Sequence, residues 1–306
     1  MHDGSRGIGN VSTVTVQSYI DKLADRFGQS DLYYGHGTDN PFDEAVYLVY
    51  GALSLSFDAE ANSPGRLLAD SELCWLDELV KARVEQRIPV GYLVGKAWFS
   101  GHQFLCDSRA LIPRSPIAEL IDRKFRPLLK RAPARVLDLC AGGGCIGISC
   151  ALRFPACEVE LAELCADACE LAMANVALHK LSPRVSVLRS DLFSALTGPY
   201  DLIISNPPYV SRQEIAALPE EYCHEPVLGL LSEDDGLALA LKILHEADDF
   251  LCADGVLIME VGSSRQQLST RLKAVPLEWL EFAHGGEGVL ALTRNQLRQY
   301  QGLRSP

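Results

Sequence analysis

Between residues 135 and 274 short apolar runs alternate with longer amphipathic stretches, and this alternation limits the possible fold more than any other feature. The runs at 135–139, 158–162, 185–188, 201–205 and 256–261 are rich in Val, Ile and Leu, as strands buried on both faces are. The stretches at 145–154, 166–179, 236–251 and 263–274 carry apolar residues at helical spacing. Strands joined through helices pair in parallel. The predicted fold is therefore α/β, a doubly wound, mostly parallel, Rossmann-like sheet. Ligands of such sheets bind at the carboxyl ends of the strands, where the strand order reverses. The pattern changes at 277–283 and 288–293, which predict an antiparallel hairpin joined through Gly285-Gly286.

Upstream the period is helical. Val16, Tyr19, Ile20, Leu23 and Phe27 share one helix face, and 44–55 and 73–88 repeat the pattern, the latter after the cap candidates Asp70-Ser71. Turn clusters at Tyr34–Pro41 and Asn62–Gly65 separate these stretches. From 96 to 112 the period shifts toward two, predicting a β-hairpin, and Pro113 and Pro116 bracket the entry to a helix over 117–130. The expected organisation is a disordered leader at 1–10, a small helical domain at 11–95, a hairpin linker at 96–112 and the α/β domain at 113–306.

Composition removes several classes of function. No apolar run approaches the roughly 20 residues that span a bilayer, and the amino terminus lacks a signal-peptide pattern. The expectation is a cytoplasmic protein without membrane contact. Six of the ten cysteines fall between Cys140 and Cys169, but none forms a C-x-x-C pair, so no metal site is expected and most read as small buried hydrophobes. The net charge is −12 and no block of lysine or arginine stands out, which argues against direct nucleic-acid binding and favours a basic protein partner. Residues 1–112 hold 15 acidic and 9 basic residues, with Asp58, Glu60, Asp70, Glu72, Asp77 and Glu78 opposed over that stretch only by Arg66. These acids either form a solvated helix surface or steer such a partner.

The strand at 135–139 runs into Asp138-Leu139-Cys140-Ala141-Gly142-Gly143-Gly144, followed by Gly147. Glycines let backbone approach a ligand closely, and the helix that follows starts with free N–H groups. Gly142, Gly144 and Gly147 also satisfy the dinucleotide pattern G-x-G-x-x-G, so two cofactor classes remain open. Asp138 favours S-adenosyl-L-methionine, because a carboxylate suits a cationic amino-acid moiety and repels a pyrophosphate. Glu163 ends the next strand, where a carboxylate can accept both ribose hydroxyls of either cofactor. Asp191 ends the third strand, placed to accept an adenine amino group with Leu192 against the ring, or to cap a helix.

The fourth strand empties into Asn206-Pro207-Pro208-Tyr209. Two prolines remove two backbone donors and end the strand, leaving nearby carbonyls without ladder partners. The Asn206 side-chain oxygen and the Pro207 carbonyl can accept both hydrogens of an –NH2 group, while the Tyr209 ring packs on a flat amide or base. Asn206, Pro207 and Tyr209 are thus the candidate catalytic residues, with Pro208 completing the substrate clamp. An exocyclic adenine or guanine amine is also planar and conjugated, so a nucleic-acid amine methyltransferase is the alternative reading. Such an enzyme needs a basic groove or aromatic base platforms, which the sequence does not display.

With Asp138–Gly144, Asn206–Tyr209 and Leu111-Ile112-Pro113-Arg114 in place, the chain resembles the HemK-like glutamine methyltransferases over roughly residues 15–295. The resemblance implies a class I methyltransferase domain behind a small helical domain that helps recognise the substrate. Ser115-Pro116-Ile117-Ala118-Glu119-Leu120 stands where the release-factor enzymes carry a Pro-Glu-Thr-Glu run. Together with Tyr34–Pro41, Lys96-Ala97-Trp98-Phe99 and His224-Glu225-Pro226, it is similar to the branch acting on large-subunit ribosomal protein three. The resemblance implies that Asp138, Gly142, Gly144, Glu163 and Asp191 contact S-adenosyl-L-methionine; Cys140, Ala141, Leu192 and Asn206 are expected beside it. It also implies that Asn206–Tyr209 hold the glutamine amide. The chain departs from the family at Cys140, usually Gly, at Glu163, more often Asp, and at Leu164-Cys165. Glu225-Pro226 and Glu260-Val261-Gly262 match the family without an evident physical role.

Overall fold

The computed structural model describes residues 13–56, 64–273, 275 and 277–299. The leader at 1–10, Asn62-Ser63, the acids Asp58 and Glu60, and position 274 of the last expected helix lie outside the described residues. The chain divides into two compact units, Met1–Gly95 and Lys96–Pro306.

The first unit is helical, with α1 (Val16–Gly28), α2 (Pro41–Leu53), α3 (Asp70–Gln86) and α4 (Val90–Val94). Thr15 caps α1 in a reciprocal pair with Ser18, and Val16, Ile20, Leu23 and Phe27 are buried. Asn40 caps α2, with Pro41 as its first residue. Asp70 and Ser71 are not caps but lie inside the first turn of α3, where Glu72 accepts the Ala69 N–H at 3.0 Å. Arg83 and Glu44 form a buried ion pair, and Arg83 also donates to the Tyr33 carbonyl at 2.9 Å. Two of the acids between 58 and 78 are engaged internally. Glu72 pairs with Arg66 at 2.5 Å, and Asp77 accepts from the Tyr19 hydroxyl at 2.8 Å.

The second unit opens with an antiparallel hairpin of β1 (Lys96–Phe99) and β2 (His102–Leu105). Its main sheet holds β3 (Arg135–Leu139), β4 (Glu158–Glu163), β5 (Val185–Arg189), β6 (Tyr200–Ser205), β7 (Leu251–Glu260) and β8 (Val289–Thr293), in the order β5-β4-β3-β6-β7-β8. Pairing is parallel except for β7 with β8. The helices are α5 (Ile117–Asp122), α6 (Cys145–Arg153), α7 (Ala166–Leu178), α8 (Arg212–Ile215), α9 (Ala238–Phe250), α10 (Arg265–Arg271) and α11 (Arg294–Gln299). Alternate strand residues feed two cores. Val136, Leu161 and Ile204 pack with Ile148 and Val176, whereas Leu137, Ile203 and Met259 pack with Ile243 and Leu244. The chain lays β3, β4 and β5 outward in one direction, then returns to place β6 on the other side of β3. That reversal opens a crevice at the carboxyl ends of β3 and β6.

Two elements differ from expectation. The helix entered at 117 stops at Asp122 rather than 130, because Lys124 and Phe125 take left-handed backbone and Phe125 turns fully into the core. Pro127 also disfavours helix at Arg126. At the carboxyl end, 277–283 forms no strand among the described residues. It meets β8 through a single antiparallel bridge, Trp279 to Leu290, while β8 finds its regular partner in β7.

Candidate active site

One cavity of about 680 Å3 lies at the carboxyl ends of β3, β4, β5, β6 and β7. The glycine loop after β3 forms one wall. Cys140, Ala141 and Gly142 line the cavity, and Cys140 holds left-handed backbone at φ 62°, which explains why glycine suits this position. Gly144 and Gly147 do not line it. A methyl group at Gly144 would fall 2.8 Å from the Leu161 side chain, and one at Gly147 would fall 2.3 Å from it. These two glycines let α6 close onto the sheet.

Asp138, expected to meet a cofactor's amino-acid moiety, is not among the residues that line the cavity. It lies beneath the loop at 1% exposure. Its Oδ2 accepts the Gly147 N–H at 2.7 Å, and its Oδ1 has no hydrogen-bond partner among the described residues. Burial pushes the carboxyl up to about 7 despite that bond, with the neighbouring Glu163 adding to the rise.

Glu163 does line the cavity and braces the loop from below. Its Oε2 accepts the Gly142 N–H and its Oε1 the Cys165 N–H, each at 2.8 Å. Each oxygen keeps a second lone pair for a ligand hydroxyl. Asp191 and Leu192 line the cavity after β5. The Asp191 side chain lies 3.6 Å from Lys242 and caps nothing among the described residues; the local cap is Ser190, whose hydroxyl accepts the Ala195 N–H at 3.1 Å.

Asn206, Pro207, Pro208 and Tyr209 all face this cavity. Among the described residues the Asn206 side chain makes no hydrogen bond, and the carbonyls of Asn206, Pro207 and Pro208 accept none. Tyr209, by contrast, is firmly seated. Ser264 donates to its carbonyl at 2.8 Å, and its hydroxyl donates to Glu260 Oε1 at 3.3 Å. A methyl group at Gly262 would fall 2.5 Å from its ring. Burial beside Glu260 holds the phenol well above its usual pKa, so it stays neutral.

The remaining wall comes from residues to which sequence reasoning gave no role. Arg114 makes a bidentate pair with Glu225, both contacts at 2.6 Å, and lies over the Tyr222 ring at 5.3 Å. Glu225 also accepts the Ile112 N–H at 3.1 Å. Glu260 accepts from the Ser115 hydroxyl at 2.5 Å, and burial pushes its carboxyl up to about 7. The unexplained motifs around Glu225 and Glu260 are therefore anchors for the Pro113–Pro116 segment and for Tyr209. Asn175 is a third such anchor. Its side chain bonds both the N–H and the carbonyl of Leu105 and the Gly143 carbonyl, tying β2 to the glycine loop. An asparagine within the apolar stripe of α7 was the available signal.

Four free cysteines, Cys106, Cys140, Cys145 and Cys165, also line the cavity. Burial pushes the Cys106 thiol up to about 12 and raises Cys140 and Cys145 well above the usual range. Among the described residues no group of His, Cys, Asp and Glu is arranged to hold a metal.

The family model "Methyltransferase small domain" matches residues 121–221. The ribosomal protein uL3 glutamine methyltransferase of Francisella tularensis subsp. tularensis is 42% identical over 290 residues, 94% of this chain and 92% of that one. Its counterpart from Xanthomonas campestris pv. campestris is 47% identical over 277 residues, 89% of each chain. Among solved structures, a methyltransferase from Pyrococcus furiosus aligns with a TM-score of 0.46 and 17% identity, over 73% of this chain and 98% of that chain. Identity of this level over nine-tenths of both chains settles the family: the chain belongs to the ribosomal protein uL3 glutamine methyltransferases.

Proposed function

We propose that this protein transfers the methyl group of S-adenosyl-L-methionine to the side-chain amide nitrogen of a glutamine in ribosomal protein uL3. The observation that carries the reading is the free acceptor set at the end of β6, facing the same cavity as Glu163 and Asp191. When bound, the cofactor supplies an electrophilic methyl group on a sulfonium. Ala141 and Gly142 let backbone approach it, the spare lone pairs of Glu163 accept its ribose hydroxyls, and Asp191 and Leu192 meet its adenine. Asp138 acts from beneath by fixing the loop.

An amide nitrogen is a poor nucleophile because its lone pair is delocalised into the carbonyl. The Asn206 side-chain oxygen and the Pro207 carbonyl would accept its two hydrogens and favour electron density at nitrogen as the N–C bond forms and the sulfonium S–C bond breaks, after which one of those hydrogens leaves as a proton to water. Tyr209, pinned by Glu260 and Ser264, holds the amide plane, so the protein's main task is positioning. Residues 11–95 recognise the basic ribosomal protein, 96–112 link, and 113–306 carry the chemistry. No helix among the described residues is long and apolar enough to cross a membrane, and we place the reaction in the cytoplasm.

The test is methyl transfer from labelled cofactor to unmethylated uL3, with mass spectrometry locating the label. Asn206→Ala should abolish turnover while cofactor affinity stays within a few fold. Retention of more than about a tenth of the wild-type rate, a loss under about 1.4 kcal/mol, would refute the assigned role. Label entering RNA instead of protein would sink the glutamine reading.

A further inference from the structure

The loops that enter the sheet build a second cavity, of about 330 Å3, from residues 124–133 ahead of β3 and 153–157 ahead of β4. The active cavity lies at the other ends of these strands, which are five and six residues long, roughly 17–20 Å away. Five of the twelve lining residues are cationic, namely Lys124, Arg126, Lys130, Arg131 and Arg153, and none is acidic. Six of residues 123–135 are Lys or Arg and none is Asp or Glu, in a chain of net charge −12. Interleaved Phe, Pro, Leu and Ala hide this as a linear block. The left-handed turn at Lys124-Phe125 gathers it into one wall.

Several neighbouring cations already have partners. Arg123 pairs with Glu119 at 2.7 Å and Arg135 with Glu160 at 3.3 Å, and Arg153 donates to the Asp122 carbonyl. Arg131 reaches Asp201 at 3.2 Å yet stays 75% exposed. Lys124, Arg126 and Lys130 are exposed and have no acidic partner among the described residues. A concave wall of one sign adds its potentials instead of cancelling them, unlike an ordinary mixed surface.

We propose that this cleft binds the phosphodiester backbone of RNA, and that the RNA is the ribosomal RNA on which the uL3 substrate assembles; the second half rests on the function proposed above. All five lining cations are exposed residues and none is buried, which suits a chain of phosphates better than a single small anion. The apolar lining mixes buried Pro133 and Phe154 and half-buried Leu129 with exposed Ala132, Pro155 and Ala156; its one ring, Phe154, is buried, so no aromatic platform is offered and the contact reads phosphate without sequence preference. Among the described residues, none of the exposed large hydrophobic side chains lies in the cleft, which disfavours a lipid surface. The cleft gives an acidic enzyme a local hold on an RNA-bound substrate.

The test uses the full chain and the triple variant Lys124→Gln, Arg126→Gln, Lys130→Gln, whose melting temperature should match the wild type. Fluorescence anisotropy with a labelled RNA hairpin of about 20 nucleotides, between about 50 and 200 mM salt, should show wild-type affinity falling steeply with salt. The variant should bind about tenfold or more weakly, with a log–log salt slope shallower by about two. Its rate on uL3 alone should be unchanged, and its KM for uL3 bound to an RNA fragment should rise severalfold. Equal RNA binding by variant and wild type would overturn the proposal, as would wild-type binding to phosphatidylglycerol vesicles but not to RNA. A wild type that bound RNA through these residues yet methylated uL3 neither with nor without RNA would support the cleft and overturn the function proposed above.

Discussion

In the glycine-loop half of the active cavity, Asp138 and Glu163 bond backbone N–H groups 9 and 21 residues away. In the amide half, Glu225 and Glu260 reach side chains 111 and 145 residues away, Arg114 and Ser115. The first half is braced by its own neighbourhood and exists once three adjacent strands have formed. The second exists only when the Pro113–Pro116 segment, the loop after Tyr209 and the end of β7 have met. Damage to the first half should therefore be local, affecting cofactor binding, whereas damage to the second should spread to stability and to the protein substrate.

The sharpest way to break this contrast is Glu225→Ala. It leaves the Arg114 guanidinium and the Ile112 N–H without their acceptor, and removing one partner of a buried pair costs about 3–5 kcal/mol. Denaturant titration should show that loss, with a raised KM for uL3 and cofactor affinity within a few fold. If cofactor affinity falls as far as stability does, the two halves are not separable. Glu163→Ala comes next. It should weaken cofactor binding by about 1–3 kcal/mol in calorimetry while the denaturation midpoint moves much less. A cofactor dissociation constant within a factor of two of wild type would remove Glu163 from the binding set.

A third test concerns pH. The Asp138 carboxyl is raised from the usual 3.8 to about 7, so its neutral form is the one the ligand-free fold favours. That contribution to stability is complete below about pH 4 and is lost as pH rises to about 7. Asp138→Asn keeps an acceptor for the Gly147 N–H and removes the titration. It should flatten the pH dependence of unfolding between about pH 5 and 7 by up to about 1.4 kcal/mol per pH unit. An unchanged slope would mean that Asp138 is ionised in the free protein.

The same contrast explains what could be read in the sequence. The alternation from 135 to 261 gave the parallel sheet because each strand and helix is a local pattern, and the loops after β3, β4, β5 and β6 announced themselves by glycine, carboxylate or proline at a strand end. Arg114, Ser115, Glu225 and Glu260 stand in motifs that resemble the family, yet their roles are not legible there, since each acquires its role from a partner that only the tertiary fold supplies. The charge and position of Asp138 at a strand end point to a ligand contact. Its burial beneath the loop depends on the Gly147 backbone nine residues on, which a pattern of residue types does not place. The helix expected to reach 130 ended early for a similar reason, because the core claimed Phe125.

The thiols around the cavity bear on how such an enzyme survives its own reagent. The proposed methyl donor is an alkylating agent, and the most reactive side chain that could be placed beside it is a cysteine thiolate. Cys106, Cys140 and Cys145 all face that space. Thiolate, not thiol, is the nucleophile, and burial holds Cys106 up at about 12 and the other two well above the ordinary range. At neutral pH these sulfurs are protonated and nearly inert. Burial of these three thiols thus also disfavours their alkylation, leaving the activated amide as the nucleophile that competes for the methyl group.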